Sequence, residues 1–280
     1  MRFDNCIERK RIVVKNPAKK YYYIFRVSFM ENLQYPLNCI LGFLSYFIMI
    51  FLFFQLWTYI YGDASKLIAG YTRTQMIWYV IFTEIMWFGT RNATLTGGIS
   101  RDIKSGTVAY AMNKPYRYPL YILSKYFGEI GFRFLLYFLM GSIMGVVMLG
   151  NIPAFRFITV VWVLPVILSG LLVNSLIRIC ISLLAFWVED SLPFQWIYDK
   201  LLIVIGIMFP VEVFPKILQP AIRLSPIYAV TYGPAKLLVD FSFEVYRQVL
   251  LVQMGYLFTF SLLLVLGYRK GVKKLNVNGG

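Results

Sequence analysis

The sequence predicts an all-α polytopic membrane protein, from its composition, the length of its apolar blocks and the placement of its basic residues. Of the 280 residues, 59% are hydrophobic and 15% are charged, whereas soluble domains carry about a quarter charged residues. That balance suits a surface solvated by lipid. Residues 38–61 and 249–268 each reach the roughly 20 residues that cross about 30 Å of hydrocarbon, and 157–187 exceeds it. The chain has 28 Lys and Arg against 13 Asp and Glu, and most of the cations flank the apolar blocks. This follows the positive-inside pattern and not a nucleic-acid footprint, so no nucleic-acid partner is expected.

Taken in order, residues 1–20 form a basic tail. Within 21–36, Tyr22, Phe25, Phe29 and Leu33 recur three or four apart beside Arg26, which predicts an interfacial helix with its aromatic side inward. Span 38–61 ends in Trp57, Tyr59 and Tyr61, an interfacial aromatic belt. Span 76–90 is short and carries Glu84. A charged loop, 97–125, leads to span 130–149, where Glu129 and Arg133 have i,i+4 spacing for a local ion pair. The block 157–187 is too long for a straight crossing, and Pro165 is its natural kink site. Segment 192–209 is interrupted by Asp199 and Lys200 and stops at Pro210. Pro210, Pro215, Pro220, Pro226 and Pro234 then exclude one continuous helix, so 211–235 reads as an outer re-entrant element. Span 249–268 closes on Arg269, Lys270, Lys273 and Lys274.

With six crossings and both termini inside, the cytoplasmic segments hold 19 Lys and Arg and the external ones 7. The bias selects cytoplasmic termini. The start of the chain has no signal-peptide plan, so the first span is expected to be retained.

Several chemistries are excluded. There is no histidine, which removes imidazole-assisted catalysis and His-ligated zinc. No GxxxxGK[ST] loop and no G-x-S-x-G elbow occur. Cys6, Cys39 and Cys180 are odd in number and far apart, unlike a disulfide framework or metal site. No metal or cofactor of the chain's own is expected, and no enzymatic site.

The loop 97–125 carries the functional reading. Ser100, Arg101, Asp102, Ile103, Lys104 and Ser105 form a short amphipathic stretch, and Gly106 is placed to end a helix. A docking helix for a cytoplasmic partner and a solvated loop both fit. In the spans, Glu84 is an expensive carboxylate that can pair with Arg178 or Arg91, meet a substrate, or be neutral and buried. Arg178 itself is expected to snorkel to the inner interface. Phe53, Trp57, Tyr79, Phe82 and Trp87 are further candidates for a substrate path, with packing or lipid contact as the alternative.

Asp102, Ile103, Gly106, Met112 and Pro115 form the pattern D-I-x-x-G-x-x-x-x-x-M-x-x-P, which resembles the first cytoplasmic loop of type-2 ABC exporter permeases. Those permeases commonly have Glu at the position of Asp102 and Leu at that of Met112. Ala69-Gly70-Tyr71 with Met76 and Tyr79 resembles the entry to span two in a bacterial subgroup. Ala185-Phe186-Trp187, Gly206 with Phe209-Pro210, Phe214-Pro215, Leu224-Ser225-Pro226 and Gly233-Pro234 resemble its C-terminal half.

The resemblance implies a six-span subunit of a bacterial cytoplasmic membrane, with an interfacial helix and a coupling helix at Ser100–Gly106. It implies outer re-entrant helices around Phe209, Pro210, Phe214, Pro215 and Pro226. It also implies a second permease, identical or paralogous, and a pair of separate ATPase subunits that bind Mg-ATP. A drug-like, peptide or lipid-like substrate is expected. The alternatives are a secondary transporter or channel using Glu84 as an ion or proton site, and a non-transporting membrane scaffold.

Overall fold

The computed structural model describes residues 17–34, 36–63, 65–91, 94–112, 114–151, 157–188 and 190–278; most of the basic tail lies outside them. The helices are α1 (Pro17–Leu33), α2 (Pro36–Tyr61), α3 (Arg73–Thr90), α4 (Ile99–Lys104), α5 (Val108–Met112), α6 (Tyr118–Leu149), α7 (Phe157–Leu183), α8 (Leu192–Leu201), α9 (Gln219–Leu224), α10 (Gly233–Val239) and α11 (Phe243–Asn278). Wider π turns occur at Thr94–Gly98, Leu202–Met208 and Tyr228–Tyr232, and tighter 3-10 turns at Leu184–Phe186 and Val211–Val213. No strand occurs among the described residues. The segments Ile40–Tyr61, Tyr118–Leu149, Ile158–Phe186 and Phe243–Lys274 are long and apolar enough to cross a membrane. The protein is an all-α, multi-pass membrane protein.

α3 is the centre of the bundle, flanked by α2, α6 and α10. Every residue from Met76 to Met86 is buried, so this helix tolerates Glu84 and modest hydropathy because protein surrounds it. Its start is a capping box: the Thr72 hydroxyl accepts from the Gln75 amide at 3.3 Å, and the Gln75 side chain accepts from the Thr72 amide at 3.0 Å. Hence the helix begins at Arg73 and not at 76.

Several other boundaries differ from the sequence reading. α6 starts at Tyr118, well before 130, with Pro119 in its first turn. Its charges do not interrupt it: Lys125 pairs with Glu129 at 3.6 Å, and Arg133 donates to the Arg91 carbonyl at 2.9 Å. α7 continues through Pro165 and ends at Leu183, where the 3-10 turn takes over. The long block therefore stops by a change of helix type. α11 spans 36 residues, about 54 Å at 1.5 Å per residue, so its basic end extends beyond one crossing.

α1 lies against α6. The helices approach closely at Gly128, where a Cβ would collide with the Phe25 carbonyl and lie 2.8 Å from the Ser28 Cβ. Phe29 meets Phe132 edge-on at 6.1 Å. Tyr22, on the same helix, is 60% exposed. At the other end of the bundle the prolines begin short helices: Pro220 opens α9 and Pro234 opens α10.

Candidate coupling and gating sites

The π turn Thr94–Gly98 delivers the chain from α3 into α4. Ile99, Ser100 and Ile103 are buried, at one-turn spacing, while Arg101, Lys104 and Ser105 are exposed and Asp102 is half-buried. One face is fixed and the other presents charge. Gly106 has φ +73°, with no atom near its side-chain position, so the backbone conformation itself calls for glycine. Its amide donates to the Ile103 carbonyl at 3.2 Å, closing the helix.

The buried face rests on α7 and the turn Leu184–Phe186. The Ser182 hydroxyl donates to the Leu95 carbonyl at 2.8 Å, and the Gln195 side-chain amide reaches the same carbonyl at 3.3 Å. That amide also donates to the Arg178 carbonyl at 2.8 Å and to the Ser182 hydroxyl at 3.1 Å. Arg178 is 3% exposed and bonds Asp199 at 2.6 Å, with Gln195 Oε1 at 3.4 Å and the Tyr198 ring 5.2 Å away. It does not snorkel, because Asp199 on α8 offers it a partner inside the bundle. Nor does it meet Glu84. Ser182, Gln195 and Asp199 thus join the turn before α4 to α7 and α8, a link the sequence reading missed. The only local sign was polar residues within 192–209.

A second tie holds the exposed side. Lys104 and Asp190 are 3.3 Å apart, and Asp190 also accepts from the Leu192 amide at the start of α8. That amide, followed by Lys104, holds its carboxyl below the usual range.

The outer candidates converge on a different cluster. Pro210 and Pro215 flank the 3-10 turn Val211–Val213. Phe209 packs edge-on against Trp57 at 6.3 Å and Phe214 at 6.5 Å. Pro226 follows Ser225, whose hydroxyl accepts from the Tyr228 amide at 3.2 Å. From Tyr228 to Val239 the chain is nearly all buried against α3, α7 and α11, so the enclosed part extends past 235. Gln253 on α11 secures it, donating to the carbonyls of Ala229 at 2.8 Å and Val166 at 2.9 Å.

Glu212 closes this region. Its carboxylate takes the Tyr232 hydroxyl at 2.5 Å, the Lys236 ammonium at 3.0 Å and the Arg223 guanidinium at 3.6 Å. Lys236 also donates to the Tyr71 hydroxyl at 3.0 Å, and the Tyr71 and Tyr232 hydroxyls are 3.1 Å apart. One proton order satisfies the set: Lys236 to Tyr71, Tyr71 to Tyr232, Tyr232 to Glu212. Burial pushes the Glu212 carboxyl up, but the Tyr232 hydroxyl and Lys236 outweigh it and leave it lowered. Tyr61 donates to the Tyr71 carbonyl at 2.7 Å, tying α2 to this cluster. Glu212 and Lys236 were not singled out in the sequence, because their partners are remote along the chain.

The substrate-path candidates do not form one patch. Tyr79 donates to the Gly206 carbonyl at 2.8 Å and meets the Tyr232 ring, while Trp57 meets Phe209. Phe82 turns to Trp78 and Phe138. Phe53 is buried, and Trp87 is half-buried beneath Arg91 at 5.8 Å. Glu84 is 2% exposed, and its Oε2 has no hydrogen-bond partner. Of the two expected cations, Arg178 is engaged by Asp199 and Arg91 by Trp87.

A search of curated proteins gives no match. Residues 32–279 match the family described as ABC-2 family transporter protein. This range includes α2 to α11 and both polar clusters. The chain belongs to that family, whose members are membrane permease subunits working with an ABC ATPase.

Proposed function

We propose that this permease is the moving subunit of an ATP-driven exporter, crossing a bacterial cytoplasmic membrane six times with both termini inside. The observation that carries the reading is α4, whose buried Ile99, Ser100 and Ile103 rest on α7 and the turn Leu184–Phe186, just after the Leu95 carbonyl that Ser182 and Gln195 hold, while Arg101 and Ser105 on its outer side are exposed. A separate pair of ATPases binds Mg-ATP. Their closure pushes Ser100–Gly106, and the Leu95–Gln195–Arg178 ties carry the push into α7 and α8. The movement reaches spans 157–187 and 192–209 directly.

At the other end, Glu212, Tyr71, Tyr232 and Lys236 hold the outer segment closed. Release of that latch opens an exit between this permease and a second one, identical or paralogous. α3 and the run Leu192–Met208 supply the fifth and sixth crossings, short because protein encloses much of them. A drug-like, peptide or lipid-like substrate suits the apolar, aromatic interior. Coupling of this kind needs two conformations that the nucleotide state distinguishes.

The test is charge reversal on α4. Asp102→Lys, co-expressed with the ABC ATPase, is expected to lower ATPase co-purification and export at least about tenfold, the scale of one lost interfacial charge pair. Wild-type assembly and export would refute the coupling role.

One observation favours a second reading. Glu84 is buried with an unpartnered Oε2, as an ion or proton site would be. Export that persists without ATP hydrolysis but is lost in Glu84→Gln would support it.

A further inference from the structure

A cavity of about 660 Å³ lies between the first turns of α6, Leu176 of α7 and the stretch of α11 from Ser261 to Arg269. We infer that it is a binding site for one anionic phospholipid. Leu120, Leu123, Leu264 and Val265 give it apolar walls, and Arg117 and Arg269 stand at its rim. Both arginines are exposed, and neither forms an ion pair among the described residues. The cavity therefore offers two uncompensated positive charges above a hydrocarbon slot. An anionic head with attached acyl chains matches both parts, since basic pockets between membrane helices hold anionic headgroups.

The aromatic residues at this end fit the same ligand. Tyr118 lines the cavity and is 3% exposed. Its ring is held by stacking on Tyr268, 6.0 Å away at 14°. Tyr116 and Tyr121 stack nearby at 4.7 Å. Tyrosines gathered at the ends of long apolar helices mark headgroup depth, which places the phosphate near the arginines and the chains along Leu264 and Val265. The inference rests on the membrane reading and not on export.

The test is native mass spectrometry of the full chain in detergent, titrated with phosphatidylglycerol and with phosphatidylcholine of the same acyl chains. One saturable phosphatidylglycerol per chain is expected, with phosphatidylcholine binding at least about tenfold more weakly. Arg117→Ala and Arg269→Ala should each weaken phosphatidylglycerol by about fivefold, the value of one basic residue near an anionic surface. Val265→Trp, at a position 46% exposed, should fill the slot and abolish saturable binding without lowering the melting temperature. Equal affinity for the two lipids, or unchanged binding in the double arginine variant, would overturn the proposal. So would displacement of the lipid by millimolar inorganic phosphate, which would show an anion site without a chain slot.

Discussion

The tie beneath α4 and the latch around Glu212 are both polar clusters in an apolar protein, yet they are built differently. Beneath α4, Ser182 and Gln195 converge on one backbone carbonyl, that of Leu95. The charged pair, Arg178 with Asp199, stands behind them on two neighbouring helices. Around Glu212 the charges are the joint itself, and they connect four segments: Tyr71 before α3, the turn holding Glu212, Arg223 on α9, and Tyr232 with Lys236. Neutral bonds to a carbonyl fix a helix in one place. A charge cluster spread over short turns and helices has only to break a few side-chain contacts to open. The first arrangement suits a strut and the second a gate.

Breaking the pair behind the strut should have the largest effect. Arg178→Leu leaves Asp199 facing the bundle without its cation, which costs about 3 kcal/mol. The expected outcome is a lower melting temperature in detergent and poor recovery of the complex, partly restored by Asp199→Leu in the same chain. Failure of the second substitution to restore stability would mean that the two residues do not act as a pair.

Gln195→Leu is the finer cut. It removes donors to three groups and should cost about 2 kcal/mol. The predicted signature is separation of function: the ATPase still assembles, because α4's outer face is intact, but hydrolysis no longer drives export. Loss of assembly together with export would put Gln195 in folding and not in transmission.

The latch is expected to give a smaller stability change. A double-mutant cycle on Glu212→Gln and Lys236→Met should show about 1–2 kcal/mol of coupling. A cycle whose single effects simply add would separate the two residues. The pH dependence has a defined sign. Since the Glu212 carboxyl is lowered in the folded protein, its contribution is complete above pH 4.5 and is lost only as pH falls below that value. Limited proteolysis near Lys216 should therefore stay constant above pH 4.5 in the wild type.

The same contrast explains what the sequence revealed. Long apolar runs and the Gly106 stop are local signals, and both appear in the structure, as does the proline-punctuated segment. The polar joints are not local. Arg178 read as a snorkelling residue because Asp199 is more than five helical turns' worth of chain away at about 3.6 residues per turn. Asp199 read as an interruption, although the two are 2.6 Å apart. Glu212 and Lys236 lie in a stretch whose prolines advertised turns and not an ion pair. The start of α6 was hidden by Lys125 and Glu129, charges that interrupt hydropathy but pair along the helix. Periodicity shows which face is buried; it does not show which buried polar groups meet.

The central claim is that α4 moves with α7 and α8 while the outer segment moves against them. It is tested most directly by spin-label distances in the permease–ATPase complex, with and without ATP. Labels at Ser105 and Ile197, both exposed, report on the strut; labels at Ile217 and Trp162, also exposed, report on the gate. The account predicts an unchanged distance for the first pair and a changed one for the second when ATP is added. A changed strut distance with a fixed gate would contradict it.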